Sequence, residues 1–215
     1  MIKAVIFDLD GTLVNSIKSI SDSMNFILEK YGFPTHSDEK YKMFVGEGMD
    51  ELVHRALPEN ERKNRDFDGF IKEYREIYGK FWRKSLKPFP GIILMLKELN
   101  KKKISLFVLS NKSDHYTKLQ VKELFGDINF LKVAGAVEGI PRKPDPSAAV
   151  RMLKKNNISP SETAFVGDTS IDIVTALNGN MKPIGVSWGF RAIKELNDSG
   201  AEKILKKPAD IFSIL

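Results

Sequence analysis

The sequence predicts an α/β fold in which a parallel sheet carries an all-helical segment inserted after its first strand. Three observations predict it. Ala4-Val5-Ile6-Phe7 is a short apolar run of the kind that buried parallel strands use. Residues 15–87 show helical periodicity only. From Pro88 onward, apolar strand runs alternate with amphipathic helices, the pattern of a sheet built by right-handed crossovers. One strand cannot bury itself, so the first must join the later sheet.

Within the helical segment, Ile20, Met24, Ile27, Leu28 and Tyr31 recur at helical spacing until Gly32 and Pro34 stop the helix. Phe44 to Val53 carries Gly46 and Gly48, which allow a tight loop before a helix through Leu52 and Ala56. Phe67, Phe70, Ile71, Tyr74, Ile77, Tyr78 and Phe81 form a second stripe, read as a helix-bundle core. Lys87-Pro88-Phe89-Pro90-Gly91 reads as a stiff linker.

Beyond it, Ile92, Leu96 and Leu99 mark a helix, residues 104–109 a strand, and Leu119 and Leu124 a helix ending at Gly126. Strands follow at 131–136, 163–166 and 184–186, with helices at 146–153 and 171–177 and a last strand at 209–212. The expected division is a Rossmann-like core of residues 1–14 and 88–215 and a helical cap of residues 15–87. Both hinges fall near Asp8 and Asp10, so the helical piece is expected to lie over them as a lid.

The chain has 215 residues, 42% hydrophobic and 29% charged, with no Cys. The lack of Cys excludes disulfides, thiolate catalysis and Cys-based zinc sites. No apolar stretch is long enough to span a bilayer, and the chain reaches its first strand by Lys3 without a signal-peptide pattern, so a cytoplasmic protein without membrane association is expected. The net charge is +6, but the Lys residues are scattered, with short clusters only at Lys101–Lys103 and Lys206-Lys207. This reads as a solvated surface that favours small anions rather than as a nucleic-acid footprint.

Asp8 and Asp10 end the first strand two residues apart, so both carboxylates can face one site at the end where open α/β sheets place their chemistry. Asp-Gly is also an ordinary turn dipeptide. Packing does not explain two acids here, because acids are rarely buried unless paired or bound to a metal. Ser110-Asn111 follows the strand at 104–109 and could hold an anionic oxygen or cap a helix. Lys143 lies in Arg142-Lys143-Pro144-Asp145-Pro146, where two prolines fix the loop. Asp168 and Asp172 are four apart at the start of a helix, an arrangement that suits a hard divalent cation or a capped terminus. Acid pair, hydroxyl, lysine and acid pair at successive strand ends suit phosphoryl transfer.

The run Phe7 to Leu13, Ser110, Lys143 and the run Gly167 to Asp172 resemble the four motifs of haloacid-dehalogenase-superfamily phosphatases. The resemblance covers essentially the whole length, and its motif combination is highly specific. It implies that Asp8 attacks phosphorus and forms an aspartyl-phosphate. Asp10 would protonate the leaving alcohol and then activate water. Mg²⁺ would sit on the Asp8 carboxylate, the Asp10 carbonyl and Asp168, with Asp172 orienting a metal-bound water or Lys143. Ser110, Lys143 and amides near Asn111 would hold phosphoryl oxygens, and Thr12 would orient Asp10. An acid at position 10 points to phosphate-ester hydrolysis, since dehalogenases and phosphonate hydrolases of the family usually lack it.

Gly46-Glu47-Gly48, Pro88–Gly91 and Ser110-Asn111-Lys112 resemble phosphoglycolate phosphatases, with Gly46, Glu47 and Gly48 as candidate substrate contacts. Glu47 departs from that branch, where Asn is common, and an acid facing an anionic substrate is unfavourable. Sugar-phosphate phosphatases, pyrophosphatases and nucleotidases share most of the motifs, and a catalytically silent binding or regulatory module is the reading of another class. The expected partner is a small phosphorylated metabolite, and the expected assembly a monomer or homodimer.

Overall fold

The computed structural model describes residues 1–62 and 67–215. The chain enters through β1 (Ala4–Phe7), turns, and forms β2 (Val14–Asn15). Helices α1 (Ile17–Lys30), α2 (Asp38–Phe44), α3 (Met49–Ala56) and α4 (Phe67–Phe81) follow, and the chain returns through β3 (Lys87–Pro88). Val14 pairs with Pro88 and Asn15 with Lys87 in an antiparallel ribbon. The stretch read as a stiff linker is therefore half of a ribbon, with two chain crossings side by side.

The rest alternates. It runs through α5 (Ile92–Lys101), β4 (Ser105–Ser113), α6 (Asp114–Leu124), β5 (Phe130–Ala136), α7 (Ser147–Lys155), β6 (Thr163–Gly167), α8 (Ser170–Asn178), β7 (Lys182–Val186), α9 (Ile193–Asp198) and β8 (Lys203–Leu205). Among the described residues the sheet has six strands in the order β5-β4-β1-β6-β7-β8, all parallel. The parallel α/β core read from the sequence is present. Ala4 lies opposite both Ser105 and Thr163, so β1 is central and the strand order reverses around it. The crevice at such a reversal, beyond the carboxyl ends of the strands, is where open α/β sheets hold ligands.

Three boundaries differ from the sequence reading. The final strand is at Lys203–Leu205, while the segment read as a strand at 209–212 lies in the 3₁₀ helix Pro208–Ile214, where Pro208 suits a helix start. Helix α9 was not read at all; it is short and has little periodicity to recognise. Ser110 and Asn111 do not follow β4 but lie inside it, past a register irregularity opposite β5.

Alternation along the strands fills two cores. Val5, Phe7, Leu106, Val108, Ala164 and Val166 face the layer shared with α1, α4, α5 and α6. Ala4, Ile6, Phe107, Leu109 and Phe165 face α7 and α8 through Ala149, Met152, Leu153 and Ala176. Of the stripe on α4, Phe70, Ile71, Tyr74 and Tyr78 are buried in the same core cluster as Tyr41 and Trp82, while Phe67, Ile77 and Phe81 are partly buried.

Core donors tie the helical segment down. Arg191 donates to the carbonyls of Lys42, Met43 and Val45, satisfying groups left open at the end of α2. Arg142 donates to the Glu47 carbonyl at 3.3 Å and to Asp50 at 3.0 Å. The helices thus rest on the strand ends, and no helix among the described residues is long and apolar enough to cross a membrane.

Candidate active site

The turn after β1 builds the first part of the site. The amides of Thr12, Leu13 and Val14 all donate to the Leu9 carbonyl, at 3.3, 3.0 and 3.0 Å, so the chain coils tightly after the strand. Gly11 has φ +84°, and a Cβ there would stand 2.2 Å from the Asp168 carboxylate. Glycine is thus required both by the backbone and by the close approach of Asp168.

Asp8 is 7% exposed and lies in a carboxylate cluster with Asp168 and Asp172, with one oxygen of each within 4.8 Å of the others. Lys143 is the one ammonium inside that cluster among the described residues, 2.8 Å from Asp8 Oδ1 and 2.6 Å from Asp172 Oδ1. The second Asp172 oxygen accepts from the Thr169 amide at 3.1 Å and its hydroxyl at 2.8 Å, which fixes Asp172 as the partner that aims Lys143. Asp168 accepts from the Thr12 hydroxyl at 3.1 Å and from the Phe190 amide at 2.8 Å. The Thr12 hydroxyl therefore orients Asp168. Among the described residues its hydroxyl is bonded to Asp168 and not to Asp10, which it was expected to orient.

Burial pushes the Asp8 carboxyl up to about 6, against the opposing pull of Lys143. Burial, reinforced by Asp172 and Asp8, also raises Asp168 well above the ordinary carboxylate range. Burial opposes the charge on Lys143, but Asp172 and Asp8 outweigh it and hold its pKa above the usual lysine value. Three buried carboxylates around one ammonium leave a negative surplus that a hard, oxygen-seeking divalent cation would neutralise, so the donor set fits such an ion.

Asp10 lies outside that cluster. Both of its carboxylate oxygens take the Lys112 ammonium, at 2.9 and 3.0 Å. Lys112 is a site residue that the sequence reading did not assign. A signal was available: residues two apart in extended backbone share a face, so Lys112 belongs beside Ser110 as Asp10 belongs beside Asp8. The Ser110 hydroxyl accepts from the Lys112 amide at 3.3 Å.

The Asn111 side chain braces loops. Its Oδ1 takes the Lys143 amide at 2.9 Å, and its Nδ2 donates to the carbonyls of Lys143 and Gly46, both at 3.0 Å. It leaves no side-chain donor for a substrate. Gly48 has φ +105°, and a Cβ there would stand 2.5 Å from Arg142 Nη1, so glycine lets the core arginine seat against the start of α3. Glu47, expected as a substrate contact, lies apart from the cavity in this structure. Its half-exposed carboxylate turns outward to pair with Arg55, and it does not line the cavity.

Between the strand ends and the helices lies a cavity of about 70 Å³. Asp8, Asp10, Ser110, Asn111, Lys112, Ser113, Thr169 and Phe190 line it from the sheet side, and Ile20, Val45, Gly46, Gly48, Met49, Leu52, Tyr74 and Tyr78 from the helical segment. Lys143 is at the cluster beneath and does not line it.

A family model described as haloacid dehalogenase-like hydrolase matches residues 5–186. The chain is 29% identical over 208 residues to a phosphoglycolate phosphatase of Psychrobacter arcticus, covering 92% of this chain and 90% of that protein. It is 28% identical over 221 residues to a phosphoglycolate phosphatase of Chromobacterium violaceum, covering 100% of this chain and 96% of that one. A crystal structure of a predicted phosphoglycolate phosphatase from Haemophilus somnus superposes with a TM-score of 0.89 at 25% identity, covering 99% of this chain and 97% of that one. With the family model spanning most of its length, the chain belongs to the haloacid dehalogenase-like hydrolases.

Proposed function

We propose that this chain hydrolyses a small phosphate monoester through an aspartyl-phosphate on Asp8, with Mg²⁺ as the bound ion and phosphoglycolate as the substrate. The observation that carries it is the buried cluster of Asp8, Asp168, Asp172 and Lys143 under a cavity floored by both Asp8 and Asp10. The ion would be held by Asp8, Asp168 and the Asp10 carbonyl, and when bound it supplies positive charge to the phosphoryl oxygens.

The chain's own groups do the rest. A carboxylate oxygen of Asp8 forms a bond to phosphorus as the bond to the ester oxygen breaks, and protonated Asp10 hands its proton to that leaving oxygen. Asp10, now ionised, takes a proton from the water that attacks the phosphorus, releasing inorganic phosphate and restoring Asp8. Ser110, Lys143 and nearby amides hold the phosphoryl oxygens. Residues 15–87 act as a cap on the core of residues 1–14 and 88–215, opening about the ribbon at β2 and β3 to admit substrate.

The cavity supports a small substrate. It is about 70 Å³, and the side chains of Ile20, Val45, Met49 and Leu52 carry no polar atom, so most hydroxyls of a sugar tail would lack partners there. The names of the curated relatives favour phosphoglycolate.

The test is phosphate release with Mg²⁺ from phosphoglycolate, β-glucose 1-phosphate, pyrophosphate, nucleoside monophosphates and an aryl phosphate. Phosphoglycolate is expected to give the highest kcat/KM. Preference for another member keeps the chemistry and overturns the substrate. No release from any member, with salt-sensitive DNA binding instead, overturns the function.

Ion binding should also depend on pH. Between the ordinary Asp value of 3.8 and about 6, the folded ion-free protein keeps a proton on Asp8 that the unfolded chain has released. Ion-free stability therefore falls as pH rises through that window. Mg²⁺ needs the ionised carboxylates, so its stabilising shift in Tm is expected to be large at pH 8 and small at pH 5, as measured by thermal unfolding with and without EDTA. An equal shift at both values would contradict the assignment.

A further inference from the structure

We propose that Lys112, with Tyr74 as a second donor, is the subsite that recognises a carboxylate on the substrate, Lys112 exchanging its contact with Asp10 for that group. The inference rests on the phosphatase reading above and adds to it a reason for selecting short phosphorylated hydroxy acids.

A carboxylate entering this cavity meets mostly apolar walls, and a buried anion without a cation or donors is strongly disfavoured. Among the described residues, Lys112 is the one cationic side chain that lines the cavity. Lys143 does not line the cavity; it pairs with Asp8 and Asp172 at the end where the phosphoryl group would sit. The Glu47 and Arg55 pair lies outside, and Arg142 is spent on Glu47 and Asp50.

Lys112 also stands at the right distance. Its ammonium is 2.9 and 3.0 Å from the two oxygens of Asp10, the group that touches the ester oxygen of the substrate. In a phosphorylated 2-hydroxy acid, one carbon separates the ester oxygen from the carboxylate. A cation within hydrogen-bond reach of Asp10 is therefore within reach of that carboxylate without a large movement.

The subsite is built in advance. The Lys112 ammonium lies 4.9 Å from the centre of the Tyr78 ring, and Gln120 donates to the Tyr78 hydroxyl at 2.9 Å. Lys112 is 8% exposed in its side chain, and although burial opposes its charge, Asp10 and Tyr78 hold it protonated. Tyr74, one turn before Tyr78 on α4, lines the same cavity, and its hydroxyl has no hydrogen-bond partner among the described residues. Burial keeps that phenol protonated and so a donor. A neutral tail such as a terminal hydroxyl offers these groups one weak acceptor, whereas a carboxylate offers two charged oxygens that can satisfy both. A site with buried polar groups that expect a partner discriminates strongly against analogues that lack one.

The test compares phosphoglycolate with 2-hydroxyethyl phosphate, which has the same chain length and no carboxylate. Wild type is expected to favour phosphoglycolate by roughly 100-fold in kcat/KM. Lys112→Met lowers activity on both esters, on 2-hydroxyethyl phosphate because Asp10 loses its partner and on phosphoglycolate because the carboxylate loses its cation. The proposal requires that the preference itself collapse by roughly tenfold or more, carried by KM for phosphoglycolate. Tyr74→Phe deletes a hydroxyl with no hydrogen-bond partner among the described residues, and is expected to lower the preference about threefold to tenfold through KM alone. It carries the test if Lys112→Met does not fold. An unchanged preference in the folded variants, or equal wild-type rates on the two esters with full dependence on Asp8, overturns the subsite and leaves the phosphatase reading standing. Release from neither ester overturns that reading, and the subsite with it.

Discussion

Asp8→Asn is expected to lower kcat for phosphate release by roughly 10⁴-fold or more on every ester that the wild-type protein hydrolyses. The amide that replaces the carboxylate keeps its shape but is far too weak a nucleophile to bond to phosphorus. The fold should survive. Lys143 retains its 2.6 Å contact with Asp172, and one of three crowded buried carboxylates becomes neutral. The variant's Tm in EDTA is accordingly expected to equal or exceed that of wild type at pH 8, where burial makes an ionised Asp8 unfavourable. The same change removes an ion ligand, so the stabilisation by Mg²⁺ should shrink. Phosphate release surviving undiminished in this variant would point to a contaminating enzyme and dismiss Asp8 as nucleophile.

The largest effect on stability is expected from Lys143→Met. The Lys143 side chain is 3% exposed, and its two partners are 10% and 1% exposed, so solvent screens none of them well. Methionine fills the space but leaves Asp8, Asp168 and Asp172 without their ammonium. Breaking a buried pair on one side costs about 3 kcal/mol or more, measured as urea unfolding of the ion-free protein at pH 8. The cost should be smaller at pH 5, where Asp8, with a carboxyl raised to about 6, takes up a proton and relieves the repulsion. Activity should fall as well, since the phosphoryl oxygens lose a cation. A destabilisation under 1 kcal/mol at pH 8 would mean that the cluster relaxes or hydrates and that Lys143 is not its main neutralising charge.

Both expectations start from residues visible in the sequence, and their placement shows why. Asp8, Ser110, Lys143 and Asp168 fall at or near strand ends, and the alternation of apolar strands with amphipathic helices is enough to align those ends. Asp8 is legible because an acid at the end of a core strand has no packing explanation. The sequence around Lys112 does not by itself mark a buried lysine, since most lysines lie solvated at the surface. Only its burial against Asp10 and the Tyr78 ring, contributed by a helix far along the chain, makes it part of the site. Glu47 shows the opposite case. Its place in the loop suggested the cavity, but Arg55, one turn along α3 from Glu51, draws its carboxylate outward.

The sequence by itself determined the parallel sheet, the helical insertion and the acids and lysine at the strand ends. Those depend on periodicity and on residue types that are costly to bury, and both are local properties of the chain. The tertiary structure decided which side chains meet: Thr12 with Asp168 rather than Asp10, Asn111 with the loops at Gly46 and Lys143, and Lys112 with Asp10. These contacts join residues 32 to 156 positions apart. Pattern along a chain says what a residue tends to do, but a hydrogen bond or ion pair across such a span depends on where the folded core finally puts both partners.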